Sequence, residues 1–130
     1  MMESKRFSAG QPPFQAEGVL TLCGKDICLN VGGGSLAHIG AVAVGEPRPS
    51  LRDEGLRSAS CSVLCMLGHK EDMLAREAAL RLAAAAGVRA VVTVGLHVDK
   101  AAPAEIKLLS ENFQSVLEQC VEFLLGLEKQ

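Results

Sequence analysis

The chain has 130 residues, a formal net charge of −2 and 48% hydrophobic residues, and Phe7, Phe14, Phe113 and Phe123 are its only aromatics. A chain of this size buries roughly two thirds of its unfolded surface, enough for one independent core, and that core must be aliphatic and alanine-rich, with small side chains that let helices lie close to a sheet. Scattered Lys and Arg exclude a nucleic-acid surface. No apolar run approaches the roughly 18 residues of a bilayer span, and residues 1–14 lack the hydrophobic centre of a secretory signal, so a cytoplasmic protein without membrane contact is expected.

Residues 1–15 carry Ser4, Lys5, Ser8, Gly10, Pro12 and Pro13 without periodicity and are expected to form a mobile arm, ahead of a single domain over 16–130. Residues 19–22 and 27–31 read as short strands joined through Gly24-Lys25-Asp26, a hairpin turn flanked by Cys23 and Cys28. Gly32-Gly33-Gly34 then breaks the pattern. It matches no nucleotide motif, having neither the Lys-Ser or Lys-Thr of a P-loop nor a helix to follow, and reads as a flexible bend rather than a phosphate cradle.

Residues 38–44 resume extended structure with two nearly apolar faces, which suits a central strand covered by helices on one side and by a partner subunit on the other. Residues 46–50, with Pro47 and Pro49, end it. Residues 58–67 form the next strand and lead into a helix beginning near Lys70, with Leu74, Ala78, Leu82 and Ala85 on one face, Glu71 and Asp72 in the first turn and Gly87 as the left-handed stop. Residues 88–95 form the last strand. Pro103 opens the final helix, whose stripe of Ile106, Leu109, Phe113, Val116, Leu117, Cys120 and Leu124 covers the sheet until Gly126. The pattern predicts an α+β two-layer sandwich: a mixed, mostly antiparallel sheet of about five strands, with both helices in the C-terminal half and on one face.

Two histidines follow a glycine at the end of an apolar run, as Gly68-His69-Lys70-Glu71-Asp72 and Gly95-Leu96-His97-Val98-Asp99. Strand ends of this kind deliver side chains to the sheet edge, where ligands bind in layered folds, so one shared polar site is expected. His69 and Lys70 stand at a helix start that attracts anions; the alternative is that the turn simply caps itself. His97 and Asp99 alternate on extended chain, so the carboxylate can orient the imidazole. His38 begins a strand. No HxH or HExxH spacing calls for a metal, and Ser35, Ser58, Ser60 and Ser62 lack a nucleophile-elbow sequence. Five cysteines without CxxC spacing make a disulfide framework unexpected; Cys61 and Cys65, four apart on a strand and so on one face, read as small core hydrophobes, and Cys23 and Cys28 could face each other across the hairpin.

Taken in order, Gly33-Gly34, His38-Ile39-Gly40-Ala41-Val42-Ala43, Gly68-His69-Lys70-Glu71-Asp72 with Ala75-Arg76, Gly95-Leu96-His97-Val98-Asp99 and Glu105-Ile106 resemble the prenylated-flavin chaperone-like proteins over residues 17–125. The resemblance implies a fold similar to that of proteasome-assembly chaperones. It also implies a non-catalytic accessory role that brings prenylated FMN, or FMN, transiently to a gallate-type aromatic-acid decarboxylase. The cofactor contacts it implies are His38, His69, Lys70, Asp72, His97 and Asp99, with Gly33 and Gly34. Two other readings stand beside it: a small enzyme or decarboxylase subunit working through His69, His97 and Asp99, and a structural subunit whose apolar sheet face makes a homo-oligomer.

Overall fold

A computed structural model describes residues 1–66 and 71–128. Six strands and two helices follow one another as β1 (Met2–Ala9), β2 (Ala16–Cys23), β3 (Asp26–Gly34), β4 (Ala41–Pro49), β5 (Arg57–Cys65), α1 (Asp72–Ala86), β6 (Ala90–His97) and α2 (Pro103–Glu128). The sheet order is β1-β2-β3-β6-β4-β5. Only β3 and β6 are parallel neighbours; every other pair is antiparallel. Both helices lie on one face, α1 over β4, β5 and β6 and α2 over β1 and β2, so the fold is the expected two-layer α+β sandwich with one strand more than expected. Neither helix is long and apolar enough to cross a membrane.

The extra strand comes from the segment expected to be an arm. β1 pairs with β2 along its whole length, from Met2 opposite Cys23 to Ala9 opposite Ala16. Phe7 turns inward and meets Phe123 edge to face at 5.9 Å, Lys5 lies over the Phe123 ring at 4.4 Å, and Gln119 donates to the Ser8 carbonyl. Asn112 holds the following turn by donating to the Phe14 carbonyl at 2.7 Å. An edge strand with one half-covered face needs few apolar residues, and this one carries little of the alternation that marks a strand.

Helix and sheet meet through alanine and glycine, as the composition requires. The buried face of α1 is Ala75, Ala78, Ala79, Leu82 and Ala83, rotated from the expected stripe so that Leu74 and Ala85 stand at its margins. Opposite it lie Ala41, Ala43 and Ala59, and a Cβ on Gly45 would come within 2.5 Å of the Ala79 carbonyl oxygen. Under α2, Phe113, Val116 and Leu117 close over Leu20, Leu29 and Val31, whereas Ile106, expected in the same stripe, is solvent-exposed. Gly87 stops α1 in the left-handed conformation, its N–H bonded to Ala83.

Most strand limits differ from expectation by a few residues, Cys61 is only half-buried and Cys65 exposed rather than in the core, and two of the differences have a structural cause. β4 starts at Ala41 rather than His38 and runs on through Pro47 to Pro49, because its pairing with β6 ends at Gly45 and beyond it β4 has a neighbour on one side only, a position where proline is tolerated. The Gly32-Gly33-Gly34 run is the end of β3, paired with β2 and β6, not a free bend.

The packing leads to two expected outcomes. Gly45→Val should lower stability by about 1–3 kcal/mol through overpacking, and Gly126→Ala, where nothing lies within 4 Å, should raise it by about 0.5–1 kcal/mol through helix propensity; urea unfolding midpoints check both. Burial pushes the Cys120 thiol up to about 12. It therefore stays protonated as pH rises through the range where ordinary thiols ionise. Iodoacetamide at pH 8 to 9 should label the exposed Cys23 and Cys65 and reach Cys120 only in urea, as read by mass spectrometry.

Candidate functional site

The parallel strands β3 and β6 end side by side, Gly34 opposite His97, at the edge where β5 also ends and α1 begins. The 35–40 segment leaves β3 here and crosses the strand ends to reach β4. Its path requires bare backbone beneath it: a Cβ on Gly95 would overlap the carbonyl of His38, and one on Gly32 would press on the Ala37 Cβ at 2.8 Å. The crossing is anchored at both ends. Ser35 N–H donates to the His97 carbonyl at 2.8 Å, Gly40 N–H donates to Val94 at 2.9 Å, and Met66 N–H donates to the Gly40 carbonyl at 2.8 Å.

This crossing brings together residues far apart in sequence. His38 Nε2 lies 3.0 Å from Glu71 Oε1, and its Nδ1 lies 3.2 Å from the Leu36 carbonyl. Both ring nitrogens therefore face acceptors, and the neutral ring can donate to only one of them. The His38 and Glu71 side chains are 18% and 11% exposed, so this pair is shielded from solvent. His97 Nε2 lies 2.8 Å from Asp99 Oδ1, and there the side chains are 46% and 88% exposed, so solvent screens the second pair strongly. The two rings meet edge to face with centroids 6.2 Å apart. The row Glu71, His38, His97, Asp99 is thus two imidazole–carboxylate pairs in contact, one sheltered and one open.

The sequence-derived candidates divide as follows. His38, His97 and Asp99 converge. Asp72 is the first residue of α1, next to Glu71. His69 and Lys70 lie outside the described residues, although the described residues on either side, Met66 and Glu71, both touch the 38–40 stretch. Gly33 and Gly34 border the site as spacers: a Cβ on Gly33 would overlap the Gln15 carbonyl, and Gly34, at φ 78°, lies against the His97 backbone. The Gly34 amide donates to Gln15 and the Ser35 amide to His97, so neither amide is offered to an anion. Glu71, which by sequence only favours the helix end, is a site residue that sequence reasoning missed: its carboxylate reaches His38. Of the serines considered, Ser35 donates through Oγ to the His97 carbonyl and Ser60 accepts from Arg48, and neither reaches an imidazole. Among the described residues no cluster of three or more His, Cys, Asp or Glu could hold a metal ion.

Aliphatic side chains border the row. Leu36 and Ile39 on the crossing segment are 61% and 53% exposed, Met66 after β5 is 38% exposed and Met73 in the first turn of α1 is 66% exposed. The edge therefore offers polar imidazoles within an apolar rim.

A family model described as a prenylated flavin chaperone LpdD-like domain matches residues 10–125. No protein of curated function matches the chain at a significant level. Among solved structures, a chain from a chaperone complex for yeast 20S proteasome assembly is similar over 95% of this chain and 94% of its own, with a TM-score of 0.58 and 18% identity, a likeness of fold alone.

If Gly95 is what seats the crossing segment, Gly95→Ala should displace His38 and separate the two rings. Stability should fall by about 1–3 kcal/mol, and nuclear Overhauser contacts between the His38 and His97 ring protons should disappear, with the β2–β3 hairpin unaffected.

Proposed function

Because the chain belongs to the prenylated flavin chaperone LpdD-like family, we propose that it is a non-catalytic accessory protein that holds prenylated FMN, or FMN, transiently and assists its delivery to, or assembly with, an aromatic-acid decarboxylase. The flavin is cargo in this reading rather than a resident cofactor. The observation that carries it is the pairing, at one sheet edge, of the His38–Glu71 and His97–Asp99 couples with exposed Leu36, Ile39, Met66 and Met73. A cargo that joins a phosphate to an apolar prenylated ring calls for both kinds of surface.

Each residue has a distinct part. His38 stands beside the mouth of the site, and Glu71 keeps its ring in place. His97 is half-exposed and oriented by Asp99, which leaves its other ring nitrogen for a ligand. Gly33 and Gly34 border the site as spacers against the Gln15 and His97 backbone. Asp72, at the start of α1, completes the contact set among the described residues, and the resemblance adds His69 and Lys70 to it. Such a site needs no nucleophile, because release rather than chemistry is its task. The protein would act in the cytoplasm as a homo-oligomer, associating through Val42, Val44, Val91 and Leu64 on the sheet face opposite the helices.

The 2.8 Å contact between His97 and Asp99 is also the arrangement a general base uses, which favours as second reading a small enzyme or decarboxylase subunit working through His97 and Asp99, with His69. Reconstitution separates the two. Apo-decarboxylase mixed with prenylated FMN should gain activity several-fold faster with the chain present, His97→Ala should remove most of that gain, and the chain alone should turn over no aromatic acid. Equal rates with and without the chain contradict the accessory role; turnover by the chain alone, lost in His97→Ala, establishes the second reading.

A further inference from the structure

The sheet face turned away from the helices has a groove beside the site, with a volume of about 300 Å³ and lined by Arg6, Glu17, Val19, Asn30, Gly32 and the 37–39 stretch. This is at the lower end of the roughly 300–1,000 Å³ of small-molecule pockets. Its floor follows from the strand register. Arg6, Val19, Asn30 and Thr93 stand in one cross-strand row, and Glu17, Gly32 and Gly95 in the next. Gly32 and Val19 leave the floor low and flat, and the 37–39 stretch, seated on Gly32 and Gly95, forms one wall that ends in His38.

The polar groups that rise from this floor are of mixed kind. Arg6 is a fixed cation whose five N–H groups only donate. Asn30 has its carboxamide oxygen occupied by the Thr93 hydroxyl at 2.8 Å, so its amide nitrogen is turned to donate. Glu17 only accepts. Donors and an acceptor therefore line the groove together. A planar ring edge that alternates carbonyl, N–H and carbonyl meets donors and an acceptor together.

We infer that this groove holds the imide edge of the flavin ring, with Arg6 and Asn30 donating to its two carbonyls and Glu17 accepting from its N3–H. The inference rests on the proposed flavin cargo and adds the orientation of the ring: imide edge toward β1, ribityl phosphate toward His38 and His97. The polar groups lie on β1, β2 and β3, across two strand spacings or roughly 10 Å, with the 37–39 stretch bordering them on the β6 side. Arg6, on β1 ahead of the matched residues 10–125, is in this reading a specificity-determining residue.

Flavin fluorescence quenching by the full chain tests the orientation with FMN, riboflavin and N3-methylriboflavin. Arg6→Ala and Asn30→Ala should each weaken FMN and riboflavin alike, by about tenfold. N3-methylation should weaken binding to the unaltered chain by a similar factor and cost little more in Glu17→Ala. Loss of FMN affinity alone in Arg6→Ala would place the phosphate in the groove and overturn the inference. So would unchanged affinity for both flavins while His97→Ala weakens FMN, a result that leaves the cargo reading standing. Failure of the unaltered chain to bind any of the three overturns both. Circular dichroism of each variant separates lost binding from lost folding.

Discussion

The seat of the 35–40 segment on the bare backbone of Gly32 and Gly95 is the contact from which the site follows. Between β3 and β6 the sheet has no side chains at these two positions, and the chain crosses there on its way from β3 to β4. That crossing lays His38 against His97 and within reach of Glu71 at the start of α1. Replacing either glycine by a larger residue lifts the segment and separates three elements at once. Packing of this kind is intolerant because a well-packed interior has no empty volume to absorb an added methyl group.

The same crossing sorts the two imidazoles by environment. His38 is enclosed by its segment and by Glu71, with an acceptor facing each ring nitrogen. His97 stands at the open end of β6 with Asp99 beside it in water. A sheltered group that keeps its geometry and an exposed one that can exchange partners suit reversible holding better than tight sequestration, and the exposed aliphatic rim gives an apolar cargo or a partner protein a surface to meet. The rigid part of the scaffold lies behind the row, where alanine faces of α1 and the sheet interlock.

Much of this was legible in the sequence, for local reasons. Gly24 marks the hairpin, Gly87 and Pro103 mark helix limits, and His97 and Asp99 fall two apart on extended chain, so their pairing needs only the strand period. The resemblance to prenylated-flavin chaperones carried the fold and the chaperone role. What stayed hidden depends on contacts distant in sequence. The His38–Glu71 pair joins residues 33 apart through a strand order that no local pattern reveals. β1 escaped notice because an edge strand with Phe7 as its main inward anchor lacks alternation, and the glycine run passed for a bend because its reason to be glycine lies in the segment above it.

Side-chain nitrogen spectra of histidine-labelled protein, recorded as FMN is added, test the central claim most directly: that one ligand engages the imidazoles seated by this crossing. His38 and His97 should shift together, with the same saturation curve. Flavin binding that leaves both rings unmoved while shifting groups around Arg57, at the far end of the sheet, would contradict it.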